Sequence, residues 1–297
     1  MKVLLTGSSG RIGRAIFNAL IPQHTVVGLD RSPFSTTSII GDVADPELLR
    51  NALDGVDVVV HTASLHAPHV GIASEAEFHR VNVEGLQSLC RLAKQAGVQR
   101  VVYTSTTALY GQAITPGSCT WVDEALPPQP TTVYHRTKLE AERILEAQAS
   151  DDFSVRVLRM SRCFPEQAAD MAIFRLHRGI DARDVADAHV AALSNGGTDF
   201  QRYIVSARTP FTPDDANALA ANLLEVLNTK CPELVAQFRQ RQWPLPKAID
   251  RVYCPTLAQT GLGWSSTLGY TEVLRQVDER SLEVLPMSPY FRHRTTE

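Results

Sequence analysis

Thr6-Gly7-Ser8-Ser9-Gly10-Arg11-Ile12-Gly13 follows the apolar run Val3-Leu4-Leu5 and leads into a helix-forming segment, Arg14 to Leu20. Closely spaced glycines let a chain turn tightly and bring backbone N–H groups up to a pyrophosphate. The helix behind such a turn presents its positive end to the same anion. The spacing is GxxGxxG rather than GxGxxG, a pattern that chance also produces. Its place at the first strand-to-helix turn adds the specificity that the motif lacks. A dinucleotide phosphate site turning on Gly7, Gly10 and Gly13 is therefore expected, in preference to a structural glycine loop.

Short apolar runs keep alternating with amphipathic stretches through the first two thirds of the chain. Strands are expected at Lys2 to Thr6, Thr25 to Leu29, Ser38 to Ile40, Val56 to His61, Arg100 to Ser105 and Ser154 to Met160. One helix is expected from Glu77 to Ala96, stopped by Gly97. Another is expected from Thr131 to Ala149, where Pro127, Pro128 and Pro130 block an earlier start. Strands and helices in this order build a parallel sheet, so the fold class is α/β, a Rossmann-type doubly wound parallel sheet.

Beyond Met160 the rhythm changes, and Thr212-Pro213-Asp214-Asp215 reads as a capped helix start before an apolar periodic run to Leu227. The expected organisation is a nucleotide-binding domain over residues 1–160, with 181–207 returning to it. A smaller C-terminal α/β substrate lobe takes 161–180 and 208–297, and 291–297 read as a polar tail.

The chain has 297 residues, 44% hydrophobic and 21% charged, which excludes disordered, collagenous and coiled-coil proteins. A net charge of −3 leaves no basic footprint for nucleic acid or an anionic membrane, and no apolar run is long enough for a membrane span. Five cysteines, none closer than 23 residues to the next, suggest neither a disulfide framework nor a CxxC site. The apolar run begins directly after Met1-Lys2, so no secretory leader is expected, and the expected location is the cytoplasm.

Val26-Val27-Gly28-Leu29-Asp30 sets a carboxylate 17 residues after Gly13, where it can accept hydrogen bonds from an adenosine ribose and repel a 2′-phosphate. Arg31 offsets part of that repulsion, and the balance favours NAD over NADP. The plainer role for Asp30 is a turn residue ahead of Ser32-Pro33. Tyr134 and Lys138, four apart on an expected helix, emerge on one face, where an ammonium can stabilise a phenolate. Bringing a tyrosine from near 10 to about 7 takes roughly 4 kcal/mol, which one ammonium plus an oxidised nicotinamide can supply. Ser105, Thr106 and Thr107, at the end of the fifth expected strand, offer hydroxyls to hold a substrate oxygen beside that phenol.

In these features the chain resembles the extended short-chain dehydrogenase/reductases, the NAD-dependent epimerase/dehydratase family. The resemblance rests on TGSSGRIG (6–13), Asp30, GDVAD (41–45), HTAS (61–64), VNVEG (81–85), VVYTSTTALYG (101–111), YHRTK (134–138), RDVADAH (183–189) and LGW (262–264). It implies that Tyr134 is the catalytic acid/base, that Lys138 binds the nicotinamide ribose and lowers the tyrosine pKa, and that Thr106 is the catalytic hydroxyl. It also implies that Gly7, Gly10, Arg11 and Ile12 line the pyrophosphate, Asp42 and Val43 the adenine, Ala63 and Ser64 the middle of the cofactor, and Asn82 its nicotinamide side. Family members commonly form homodimers through the YxxxK helix and the helix before it.

Dehydratases of this family carry Asp-Glu after the catalytic threonine, where this chain has Thr107-Ala108, so elimination of water is disfavoured. Nucleotide-sugar epimerases usually have an Asn shortly after the arginine of the next strand and a longer substrate stretch. Here Arg159-Met160-Ser161-Arg162-Cys163 lacks the Asn, and Asp184 comes only 22 residues after Arg162. That short loop resembles uronate-dehydrogenase-like members, although counting places Met171, with Arg175 one turn on, where their carboxylate arginine stands.

The reading is an NAD-dependent oxidoreductase acting on a secondary alcohol of a sugar or sugar-acid-like small molecule. The alternatives are an NAD-retaining sugar epimerase and a non-catalytic nucleotide sensor. His66, Thr107, Arg162 and Arg175 are the candidate substrate contacts, with Arg178 a further candidate anion holder. His61, His66 and His69 invite a metal reading, but no carboxylate or cysteine accompanies them and no metal is expected. Asp184 is expected to cap the helix of RDVADAH.

Overall fold

Val3, Leu5, Val58 and Val60 pack toward one face of a sheet while Leu4, Val59 and Val101 pack toward the other. Alternation along a strand sorts them, and because both faces are covered the strands read as unbroken apolar runs. The computed structural model describes residues 1–285; the expected polar tail, 291–297, lies outside the described residues. The strands are β1 (Lys2–Thr6), β2 (Thr25–Asp30), β3 (Ile39–Ile40), β4 (Val58–His61), β5 (Arg100–Thr106), β6 (Thr120–Val122), β7 (Ser154–Met160), β8 (Phe200–Val205) and β9 (Arg251–Tyr253). Among the described residues, seven of them form a sheet in the order β3-β2-β1-β4-β5-β7-β8. All six pairings are parallel, and the architecture is Rossmann-type α/β.

The helices before β8 are α1 (Arg11–Leu20), α2 (Pro46–Ala52), α3 (Glu75–His79), α4 (Gly85–Gln95), α5 (Val133–Gln148), α6 (Ala168–His177) and α7 (Ala182–Ala192). Ile16 and Leu20 of α1 share one core layer with Val185, Ala186 and Ala188 of α7. Leu86 and Leu89 of α4 and Ala141 and Leu145 of α5 fill the layer on the opposite face. Strand order reverses between β1 and β4, and the crevice beyond the carboxyl ends there is where such sheets take ligands.

A further core gathers Ile173 and Leu176 of α6 with α8 (Ala216–Ala221), α9 (Leu223–Lys230), α10 (Pro232–Gln240) and α12 (Tyr270–Asp278), while α11 (Thr256–Leu262) packs with α7 and β8. Cys119, Trp121 and Val252 contribute to this core, and β6 pairs with β9 in parallel. The stretch around residues 119–122, expected within the first domain, thus packs with the later segments. Segment 182–205 supplies α7 and the edge strand β8 to the main sheet.

Several local expectations shift for identifiable reasons. The helix expected from Glu77 to Ala96 is α3, a π-helical turn at Arg80–Glu84 and α4; the wide turn carries Asn82 into the interior, and Gly97 at φ +79° ends α4. Thr132 caps α5 by accepting the His135 N–H. The helix at 216 starts after the Thr212–Asp215 capping box but breaks at Asn222, so the periodic run to Leu227 spans two helices.

Asp184 does not cap α7, because Asp181 accepts the Arg183 N–H in that role. Buried Asp184 instead accepts the Thr267 N–H at 2.9 Å and the Leu268 N–H at 3.0 Å, anchoring the chain after LGW. Replacing Asp184 by Ala orphans both amides and is expected to cost about 2 kcal/mol or more in urea unfolding. A loss below about 0.5 kcal/mol would show that neither bond matters to the fold.

Candidate active site

The glycine turn is shaped by two close approaches. Gly7 sits at φ +74°, and a Cβ there would lie 2.7 Å from the Ala63 amide nitrogen. A Cβ on Gly13 would overlap the Gly7 carbonyl. Gly10 forms the N-cap of α1 without a side-chain cap, so no side chain of that residue occupies the first amides of the helix. Gly7, Gly10, Arg11, Ile12 and Gly13 all line one cavity of about 880 Å³ at the carboxyl ends of the strands. That volume lies in the upper part of the about 300–1,000 Å³ range of ligand sites, and a cradle that any Cβ would fill fits a dinucleotide pyrophosphate. Arg11 Nε donates to the Cys163 carbonyl at 3.1 Å and its guanidinium pairs with Glu283, so the turn is tied to two later segments.

Asp30 lines the cavity while serving as a turn residue: it accepts the Ser9 N–H at 3.1 Å and the Ser32 N–H at 3.0 Å. Arg31 lines it too, but pairs with Asp42 at 2.5 Å, and Arg80 reaches the same carboxylate at 2.7 Å. Burial alone would raise the Asp42 pKa; the Ala44 N–H, Arg80 and Arg31 together hold it below the ordinary carboxylate range. Asp42 is thus occupied outside the cavity wall, which its neighbour Val43 joins.

Ala63, Ser64 and His66 line the middle of the cavity. Asn82 does not reach it. Its Oδ1 accepts the Leu65 N–H at 2.8 Å and its Nδ2 donates to the Leu65 carbonyl at 2.9 Å and Thr137 Oγ1 at 3.1 Å, stitching the β4 loop to α5 from behind. His61 bonds Thr6 Oγ1 at 2.8 Å, and burial together with the nearby Lys138 charge pushes its pKa down to about 3. His66 faces Phe164 with ring centroids 6.4 Å apart and meets His69 edge-on. Among the described residues no group of three His, Cys, Asp or Glu side chains is arranged to hold a metal ion.

Three consecutive hydroxyls at the end of β5 do different things. Ser105 Oγ donates to the buried Glu142 at 2.5 Å, Thr107 is buried beside the Met160 carbonyl, and Thr106 Oγ1 accepts the Ala108 N–H at 3.1 Å while standing beside Tyr134. Lys138 Nζ donates to the Thr104 carbonyl at 2.7 Å and sits 4.3 Å from the centre of the Tyr103 ring. Burial pushes Tyr134 up to about 12, with the neighbouring Thr106 hydroxyl working against it. Burial also pushes Lys138 down to about 7, with Glu142 working against it. The expected lowering of the tyrosine toward neutrality is therefore not a property of the protein groups alone, because removal from water outweighs it.

Of the expected substrate contacts, His66, Thr107 and Arg162 line the cavity. Arg175 does not: it is buried against Asp181 at 3.1 Å. Arg178 also lines the cavity, as do Arg251 and Tyr253, which were not anticipated. Their signal was the Arg-Val-Tyr alternation of β9, which turns residues 251 and 253 to one side and buries Val252 in the core behind.

A family model described as the NAD dependent epimerase/dehydratase family matches residues 3–176. A 3-beta-hydroxysteroid dehydrogenase of Mycolicibacterium neoaurum is 33% identical over 162 residues, 50% of this chain and 43% of that protein. A UDP-glucose 4-epimerase of Neisseria meningitidis serogroup C is 31% identical over 178 residues, 53% of this chain and 52% of that protein. The chain thus spans about half the length of the curated relatives it matches. In fold, it resembles a short-chain dehydrogenase/reductase superfamily protein of Agrobacterium tumefaciens solved with bound NAD. The TM-score is 0.70 at 21% identity, covering 93% of this chain and 95% of that one.

Gly13→Ala must displace the Gly7 carbonyl and deform the turn. Fluorescence titration is expected to show NAD binding weakened by about tenfold or more; binding within about twofold of wild type would remove the turn from the cofactor seat.

Proposed function

The chain belongs to the NAD-dependent epimerase/dehydratase family, and we propose that it transfers hydride between NAD and a secondary alcohol of a sugar or sugar-acid-like small molecule. The observation that carries this is the convergence of Thr106, Tyr134 and Lys138 on the cavity that also holds the Gly7–Gly13 turn. Thr106 and Tyr134 hold the substrate hydroxyl between them, and Tyr134, once it has lost its own proton to become phenolate, takes the substrate's proton as the carbon loses hydride. Gly7, Gly10, Arg11, Ile12, Asp30 and Ala63, which line the cavity, would hold NAD, which would supply the hydride acceptor. Lys138, anchored on Thr104, lies where its ammonium offsets the phenolate. Burial disfavours each charge alone, so a phenolate at Tyr134 costs less beside a protonated Lys138 than without it.

In the reverse direction a neutral Tyr134 is already the acid that a ketone needs. Alcohol oxidation should therefore speed up as pH rises, while ketone reduction should be favoured near neutrality.

Arg162, Arg178 and Arg251 line the same cavity, with Glu166 and Asp250 as partial counter-charges, and this supports a substrate bearing an anionic group. The same guanidiniums suit a nucleotide diphosphate, which keeps an NAD-retaining sugar epimerase as the second reading. A homodimer through α4 and α5 is supported by the half-exposed Leu139 and Ile144 on α5. A cytoplasmic location is supported by five free cysteines. No helix among the described residues is long and apolar enough to cross a membrane.

The deciding experiment incubates the protein with NAD and a panel of free sugars, uronates and polyols and follows NADH by its near-ultraviolet absorbance. Turnover with one compound class is expected. Tyr134→Phe should lower kcat about 10²–10⁴-fold with NAD affinity within about twofold. NAD(H) that survives gel filtration of a protein without net turnover would favour the epimerase, and unchanged behaviour of Tyr134→Phe would point to the sensor.

A further inference from the structure

Behind the reacting pair lies a carboxylate with no contact to solvent. Glu142 follows Lys138 by one turn of α5, so both side chains leave the same face of the helix, and both are buried. Adjacent residues of β5 receive them: the Thr104 carbonyl takes the Lys138 ammonium at 2.7 Å, and Ser105 Oγ donates to Glu142 at 2.5 Å. Arg159 of β7 grips the same carboxylate through Nε at 3.0 Å and Nη2 at 2.7 Å. Arg202 of the edge strand β8 stands at ion-pair distance, 2.9 Å.

The groups facing Lys138 from its other sides carry no opposing charge. His61 from β4 and His66 from the loop after it are both held neutral by burial, Tyr103 of β5 offers a ring face, and Tyr134 shares α5. Glu142 is the carboxylate whose field reaches the ammonium, while Arg159 and Arg202 lie behind it and compete for the same charge.

We propose that Glu142 is a positioning residue for hydride transfer, a buried counter-anion that keeps Lys138 protonated and pinned to β5 beside Tyr134. This rests on Tyr134 and Lys138 being the reacting pair. Without the carboxylate, burial takes over, Lys138 sheds its proton at a lower pH, and the phenolate forms without its compensating cation. Ser105 and Arg159 hold the Glu142 carboxylate in place, and Arg202, partly exposed at the sheet edge, draws on it from the far side.

The chain has only five lysines, so protein grown with [6-13C]lysine gives five resonances, and loss of one in Lys138→Arg assigns the site. Titrated without cofactor or substrate, Glu142→Gln is expected to lower the proton affinity of Lys138 about tenfold, and Glu142→Asp to restore most of it. Arg202→Gln, at the edge strand, is expected to raise that affinity, and it decides the question alone if Glu142→Gln does not fold. With substrate, Glu142→Gln should lower kcat with KM within about twofold and move the pH profile, whereas a purely structural role would leave the Lys138 titration unchanged. A Lys138 resonance that titrates as in wild type in either folded variant overturns the proposal. A shifted resonance in a protein that turns over no alcohol would overturn the hydride-transfer reading and leave the Glu142–Lys138 link standing.

Discussion

The Arg159–Glu142 pair is the constraint around which the site is built. Two full charges are removed from water between α5 and β7, a cost of several kcal/mol per ion that good geometry must recover. The bidentate guanidinium recovers part, Ser105 adds a charge-assisted bond, and Arg159 Nη1 donates onward to the Tyr110 hydroxyl at 2.9 Å. Tyr110 Oη donates in turn to the Asp123 carbonyl at 2.9 Å, so the chain leaving β6 hangs from the same network. A helix held this way cannot slide or rotate by a residue without stranding a buried ion. Tyr134 and Lys138, two turns and one turn earlier on α5, inherit that fixed register.

The other end of the cavity is built by backbone rather than by charge. At the reversal between β1 and β4, Gly7, Thr62 and Ala63 approach so closely that no side chain fits between them. Asn82 then binds both the N–H and the carbonyl of Leu65, which fixes the β4 loop, and through Thr137 it ties that loop to the helix that carries Tyr134 and Lys138. The glycine turn and the Tyr134–Lys138 pair are thus held in fixed relation by connected hydrogen bonds across the sheet.

Much of this was legible from residue type and spacing. Runs such as Val58–His61 are buried on both faces, so their composition announces a covered strand, and Gly97 and Thr132 mark helix ends through local backbone chemistry alone. What could not be read were the contacts made between distant segments. Asp181 and Asp184 have the same side chain and lie three residues apart, and only the approach of Thr267 and Leu268 decides which one caps and which one anchors. Arg175 and Arg178 share a helix end, yet one is consumed by Asp181 while the other lines the cavity. Asp42 presents the same contrast: its motif position is shared with the family, but Arg31 and Arg80 take its carboxylate away from the cavity wall. Likewise Ser105, Thr106 and Thr107 are interchangeable by composition and are separated only by what lies opposite each hydroxyl.

The pKa pattern follows from the same burial. A site this dry penalises an isolated phenolate and an isolated ammonium, and Tyr134 and Lys138 show both penalties. A phenolate formed at Tyr134 would cost less beside a protonated Lys138 than alone, and a proton taken up there would return the tyrosine to its neutral form. A tyrosine that is neutral at rest needs no permanent counter-charge of its own. The structure spends its buried anion one turn further down, where it acts on the lysine instead of opposing the phenolate.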